Sequence, residues 1–78
     1  MTPKSLGLVV RRKRKRSRLR QAELAALADV GIRFVSELER GKPSLEIGRV
    51  MRVMNVLGLE LEVREKSWAT VMEAEDGA

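Results

Sequence analysis

The sequence predicts a small, mainly α-helical bundle followed by one β-strand. Three observations predict it. Apolar residues recur at helical spacing in four separate stretches between residues 3 and 57, turn-forming residues divide those stretches, and a strict two-residue alternation begins at Leu59. A chain of 78 residues holds one domain with one core, and with a single Phe and a single Trp that core has to be aliphatic.

Thr2-Pro3 opens the first helix, because Thr accepts a bond from a free backbone N–H and Pro suits the first helical position. Leu6, Val9 and Val10 carry its apolar face toward Ser17, with Gly7 as a weak point inside. The second helix is short and Ala-rich, running from Gln21 to Ala28, and suits close packing. Asp29-Val30-Gly31 breaks it with turn chemistry. Residues 32–40 form a third helix with Val35 and Leu38 inward, ended by Gly41 in the left-handed position after its last turn. Lys42-Pro43-Ser44 is a loop, and Ser44 is expected to cap a fourth helix over residues 45–57. Its inward stripe is Ile47, Val50, Met51, Met54 and Leu57, with Val53 and Val56 beside the stripe making it more apolar than a monomer requires. Gly58 ends it.

Leu59-Glu60-Leu61-Glu62-Val63-Arg64-Glu65 then alternates as a half-buried strand does. A lone strand satisfies neither its backbone groups nor its apolar face, and the chain offers no second one. The same strand of a second copy is therefore the expected partner, forming a two-stranded antiparallel sheet on a two-fold axis. Leu59, Leu61 and Val63, with Val53 and Val56, are the expected dimer interface. A capping strand or an extension of the last helix is the other reading.

Composition narrows the function class. Without Cys there is no disulfide or thiolate metal site, and without His there is no imidazole base or ligand. Ser/His and Cys/His catalysis are excluded, no phosphate loop or titratable cluster is present, and the expectation is a non-enzyme with neither cofactor nor metal. No signal-peptide core or membrane span is recognisable, which fits a cytoplasmic protein. Charge is lopsided: residues 1–59 carry 14 cations against 5 acids, net +9, and residues 60–78 carry 2 against 6, net −4. A basic body with an acidic end suggests two surfaces with different partners, the first of them anionic. The run Arg11-Arg12-Lys13-Arg14-Lys15-Arg16 reads as a solvated helix face, a nucleic-acid patch or a nuclear-localisation-like string. Six adjacent cations surround a helix, so at least one points at the core and needs an acid there.

Two short helices joined by a three-residue turn inside a four-helix unit make a helix-turn-helix. The strings Leu19-Arg20-Gln21-Ala22-Glu23-Leu24-Ala25, Asp29-Val30-Gly31 and Val35-Ser36-Glu37-Leu38-Glu39-Arg40-Gly41-Lys42-Pro43-Ser44-Leu45 resemble the Xre/Cro family of phage-repressor-like DNA-binding domains over residues 5–58. The Phe34–Lys42 string followed at once by the 59–63 strand resembles HipB-like antitoxins more closely still. The resemblance implies a lambda-repressor-like helix-turn-helix bundle of four to five helices whose C-terminal strand pairs across a homodimer. It divides the chain into a DNA-binding domain at 1–58, a dimerisation strand at 59–66 and a flexible acidic tail at 67–78.

Family geometry lays the third helix in the major groove, with Ile32, Arg33, Ser36 and Glu37 at base edges. Arg33 then donates a bidentate pair to guanine, worth about 1–3 kcal/mol of discrimination, and Ile32 suits a thymine methyl. Ser36 bonds a base or phosphate. Glu37 either accepts from cytosine or orients Arg33 or Arg40. Phe34 packs against the turn or the DNA backbone. Gln21 matches the family position that bonds a phosphate from a helix N-terminus, where free N–H groups and the helix dipole favour anions. Arg20 stands where the family has Thr or Asn, a weaker cap with an added charge contact. Asp29 and Gly31 replace the family's Gly and Ser/Thr in the turn, both tolerably. Family position also makes Arg14 the inward cation and Glu39 its buried partner. Arg11, Lys15, Arg18, Arg20, Arg40 and Lys42 remain for flanking phosphates.

Three functions follow. In the first, the chain is a homodimeric repressor and the antitoxin of a type II toxin–antitoxin operon, binding a palindromic double-stranded operator over its own promoter. The resemblance then implies a HipA-like Ser/Thr kinase toxin as partner, with Trp68, Ala69, Val71 and Met72 in the contact, unless Trp68 only covers the dimer sheet. The second is a stand-alone Xre-type regulator. The third is an adaptor whose basic helix binds acidic proteins or RNA.

Overall fold

The computed structural model describes residues 1–67. Among these, four helices follow one another: α1 (Pro3–Arg16), α2 (Gln21–Ala28), α3 (Ile32–Arg40) and α4 (Ile47–Val56). α3 packs against both α1 and α2, and α2 packs against α4.

Local chemistry sets the helix starts. At α1 the Thr2 hydroxyl accepts the Ser5 N–H at 3.1 Å, and the Ser5 hydroxyl accepts the Thr2 N–H at 2.8 Å, a reciprocal capping box with Pro3 in the first turn. α2 has only the return half of such a box: the Arg20 N–H donates to Glu23 Oε1 at 2.9 Å, and a guanidinium has nothing to accept with. α4 begins later than the sequence suggests. Ser44 and Leu45 stay in the loop, Glu46 occupies the capping position, and its carboxylate pairs with Arg49 at 3.0 Å instead of capping. Leu45 packs on the core from that loop, so it is placed by burial and not by the helix.

All four helices end alike. The residue after each last turn has positive φ: 58° at Arg18, 55° at Asp29, 85° at Gly41 and 71° at Gly58. The next N–H reaches back five residues, from Leu19 to Arg14 (3.2 Å), Val30 to Ala25 (3.0 Å), Lys42 to Glu37 (3.1 Å) and Leu59 to Met54 (2.9 Å). These are Schellman motifs, which satisfy carbonyls that the helix leaves open. Asp29 takes the left-handed position expected of it. Arg18 takes it without the short polar side chain that eases the conformation.

Val10, Leu24, Val35 and Val53 are fully enclosed, surrounded by Ala25, Ala28, Leu38, Val50, Met54 and Leu57, an aliphatic core. Val53 was expected at a dimer surface and lies instead at the centre of the monomer. The inward stripe of α4 is Val50, Val53, Met54 and Leu57, leaving Ile47 61% and Met51 51% exposed. With apolar residues at seven of the positions from 47 to 57, periodicity admits two neighbouring stripes, and packing against α2 selects the one through Val53. Val56 is half-buried.

Residues 59–67 form neither a helix nor a ladder with any other described segment. Leu59 and Leu61 are half-buried against the core and Glu60 and Glu62 exposed, which is the expected alternation, but Val63 is 99% exposed. A ladder needs a partner strand, and residues 1–67 supply none. The expected acidic tail beyond Ser67, with Trp68, Ala69, Val71 and Met72, lies outside the described residues.

Gly7 is not a weak point of α1. A Cβ there would lie 2.4 Å from the Leu38 carbonyl oxygen and 2.7 Å from that of Glu39, so its absence lets α1 lie directly on the end of α3. Gly7→Ala, favourable by helix propensity alone, is expected to destabilise the fold by about 1–3 kcal/mol through overpacking against backbone that cannot yield. Thermal unfolding followed by circular dichroism checks this.

Candidate nucleic-acid interface

α2, the turn Asp29-Val30-Gly31 and α3 form the helix-turn-helix unit expected from the sequence. Val30 fills the turn's inner side, half-buried against the core. The turn is also held from outside by a residue that sequence reasoning passed over: Arg52 of α4 donates from Nη2 to the Asp29 carbonyl at 2.9 Å. A cation at the C-terminal end of a helix is favourable on charge grounds, but residue 52 is 23 positions away and nothing in the sequence spacing connects the two.

Beneath the unit sits a buried ion pair. Arg14 Nε lies 2.6 Å from Glu39 Oε2, and Nη2 donates to Glu39 Oε1 at 3.0 Å, a two-pronged contact between buried side chains. Nη1 donates to the Leu19 carbonyl at 2.8 Å, and Gln21 Nε2 donates to Glu39 Oε1 at 3.1 Å. The ion pair thus joins α1, α3, the α1–α2 connection and the first residue of α2. The Glu39 hydrogen bond holds the Arg14 guanidinium above its ordinary range despite burial, so its positive charge is kept. Among the described residues no buried side-chain nitrogen or oxygen lacks a hydrogen-bond partner.

The expected contact residues fall into three groups. Arg11, Gln21, Ser36 and Arg40 line one open cleft with the Arg14–Glu39 pair at its base. Ile32 and Arg33, on the first turn of α3, project into solvent, the Arg33 side chain 89% exposed. Lys15, Arg18 and Arg20 are exposed but line no common cleft with these. Glu37 and Lys42 are already engaged: Lys42 Nζ lies 2.5 Å from Glu37 Oε2, and Arg33 Nε lies 3.5 Å from Glu37 Oε1. The Lys42 hydrogen bond holds the Glu37 carboxyl below its ordinary range, so it is an acceptor only at neutral pH. Phe34 is half-buried and packs against the core.

The six-cation run is divided by the 100° turn per residue of a helix. Arg14 goes to the core and Arg11 to the cleft, while Arg12, Lys13 and Arg16 line a separate groove on the other flank of α1 with Val9 and Leu59. Among the described residues no three His, Cys, Asp or Glu side chains gather as a metal would require, and no helix is long and apolar enough to cross a membrane.

The profile of the Helix-turn-helix family matches residues 10–63. The chain is also 47% identical over 62 residues to an uncharacterized HTH-type transcriptional regulator, y4mF, of Sinorhizobium fredii (strain NBRC 101917 / NGR234), a match covering 80% of this chain and 82% of that protein.

Removing one side of the buried pair strands the other. Glu39→Leu is expected to cost about 3–5 kcal/mol, whereas the double substitution Arg14→Met/Glu39→Leu should recover most of that loss. Urea unfolding of both variants decides it, and a double variant no more stable than the single one would show that the pair is not an isolated charge unit.

Proposed function

The chain belongs to the Helix-turn-helix family, and from that membership we propose that it is a sequence-specific DNA-binding transcriptional regulator acting as a homodimer. One observation carries the reading: the first turn of α3 presents Ile32 and Arg33 to solvent while its last turn is clamped to α1 through Glu39. A helix about 10–12 Å across fits a major groove about 12 Å wide. Rigidly held at one end, α3 enters such a groove with its other end leading. Arg33 reaches guanine O6 and N7, Ile32 meets a thymine methyl, and Ser36 lies one turn further along.

The cleft beside α3 supports phosphate binding on the flank of that groove. Arg11 and Arg40 bring two full charges next to Gln21, where the first N–H groups of α2 are open to an anion. Lys15, Arg18 and Arg20, exposed outside that cleft, are free to meet phosphates further along the backbone. Lys42 contributes less directly, being bonded to Glu37.

A second copy is supported by Val63, 99% exposed in one chain, and by Leu59 and Leu61 beside it, each half-buried. Pairing of residues 59–66 across a two-fold axis covers Val63 and satisfies the strand's backbone, and it sets two α3 helices on one side of a palindromic duplex. Half-sites then lie about one helical turn, ~34 Å, apart.

Within this reading the chain is a repressor of its own promoter, and the resemblance of residues 34–42 and 59–63 to HipB-like proteins is what supports an antitoxin role beside a HipA-like kinase toxin. A stand-alone regulator has the same DNA chemistry without the toxin. Co-purification of the natively expressed chain with a kinase of several hundred residues selects the antitoxin, and its absence selects the stand-alone regulator.

Two substitutions test the DNA-binding dimer. Arg33→Ala should relax sequence preference by the worth of one bidentate contact, about 1–3 kcal/mol, with the fold unchanged. Unchanged preference in a duplex-binding competition would place the recognition surface elsewhere. Val63→Asp alters a side chain that the single chain leaves in solvent, so it should yield folded monomers by light scattering and weaker operator binding. A dimer that persists would move the interface off residues 59–66.

A further inference from the structure

Glu37 stands one turn after Arg33 on α3, where a carboxylate has two contrary uses: to accept from a cytosine amino group, or to hold a neighbouring cation. Its surroundings separate them. Both oxygens face cations of the same chain: Oε2 accepts a hydrogen bond from Lys42 Nζ at 2.5 Å, and Oε1 makes a looser ion pair with Arg33 Nε at 3.5 Å. Its side chain is 17% exposed against 89% for Arg33, so an approaching base edge meets the guanidinium first.

Lys42 is held over Glu37 by the backbone. Its N–H closes the terminal turn of α3 on the Glu37 carbonyl at 3.1 Å, so main chain and side chain of residue 42 both return to residue 37. That turn is itself packed. Gly41 adopts φ 85°, and a Cβ there would lie 2.7 Å from the Lys4 Cα, so the end of α3 rests on the start of α1 and has little room to shift. The Lys42 hydrogen bond, with smaller contributions from the charges of Lys42, Arg33 and Arg40, holds the Glu37 carboxyl below its ordinary range, so it faces both cations as an anion at neutral pH.

We propose that Glu37 is a positioning residue: clamped by Lys42, it holds Arg33 by its Nε edge, so that the two Nη groups face outward and read guanine end-on. Guanine offers two acceptors, N7 and O6, on its major-groove edge, and the paired Nη donors match them. The three side chains together carry one net positive charge, so the carboxylate is brought near phosphates without repulsion. Lys42, on this account, supports base reading and is not a phosphate contact. This rests on the DNA-binding reading above, and the experiment separates the two.

Duplexes randomised over about 20 base pairs are selected with the full chain and with Arg33→Ala, Glu37→Gln and the double variant, and the enriched pools are sequenced. The wild-type chain is expected to enrich a two-fold site, and Arg33→Ala to lose one guanine from each half by ~5- to 160-fold, the equivalent of a bidentate contact. Glu37→Gln should relax that same guanine several-fold, and the double variant should be no more relaxed there than Arg33→Ala alone. Loss of preference for a cytosine elsewhere in the half-site would make Glu37 a base reader and overturn the proposal, as would additive losses in the double variant. A wild-type chain that enriches no sequence overturns the DNA-binding reading itself. Lys42→Met supplies an independent reading. The same guanine should relax, with the slope of log K against log salt changing by well under the ~0.9 expected for one lost phosphate contact. A full unit of slope with intact guanine preference would return Lys42 to the phosphates and overturn the relay.

Discussion

The contact between Arg14 and Glu39 is the constraint from which the rest of the structure follows. Two opposite charges removed from water gain little net stability, since desolvation offsets their attraction. Their effect is positional. A guanidinium with two prongs on one carboxylate admits a narrow range of orientations, and here its third donor is fixed to the Leu19 carbonyl while Gln21 takes the remaining carboxylate position. Helices α1 and α3 and the start of α2 therefore adopt one mutual arrangement. Gly7 allows it, because α1 can reach Glu39 only by lying on the Leu38 and Glu39 carbonyls. A bulkier neighbour would hold the two helices apart and leave both charges unpaired.

Much of this was legible in the sequence, at different levels for different residues. The four helices came from periodicity and turn chemistry, and their order needed nothing more. The Arg14–Glu39 partnership did not come from periodicity: a run of six cations requires an inward one without saying which, and the family resemblance supplied the choice. Where two solutions were equally apolar, the sequence could not choose. Val53 and Ile47 exchange places for that reason, since a stripe through either is hydrophobic and only contact with α2 distinguishes them. Ser44 is a better cap than Glu46 on intrinsic preference, yet Leu45 is drawn to the core and holds the loop out of the helix. Gly7 and Arg52 were illegible for a simpler reason. A close approach and a side chain reaching across 23 residues are properties of packing, with no local trace in composition.

The distribution of cations shows how a net charge becomes a directed one. An excess of +5 over 78 residues attracts any anion weakly. Helical geometry turns part of that excess toward the cleft at Gln21, buries part against Glu39, and places Arg12, Lys13 and Arg16 on the opposite flank. Charges gathered beside α3 are attached to a rigid frame, so attraction to a polyanion also orients it. The acids at Glu37 and Glu39 do not oppose this, being matched by Lys42 and Arg33 in one case and by Arg14 in the other.

In the proposed DNA complex, one α3 cannot by itself account for selective binding. Its exposed first turn offers a single strong base-reading cation, and one bidentate contact discriminates by about 1–3 kcal/mol. Proteins that find their sites among competing duplex need a margin of about 4–10 kcal/mol over non-specific binding. Adding cations does not close that gap, because phosphate contacts strengthen the wrong sites equally. Repeating the reading head does, since two copies on one duplex contribute their contacts to the same free energy. The short chain has room for one head only, and the surface it leaves apolar at Val63 follows directly on the segment that packs beside α4. In the proposed dimer, covering that residue with its own twin would solve two problems at once: residues 59–66 would gain a strand partner, and the second head would be set at the fixed distance that a helical repeat demands.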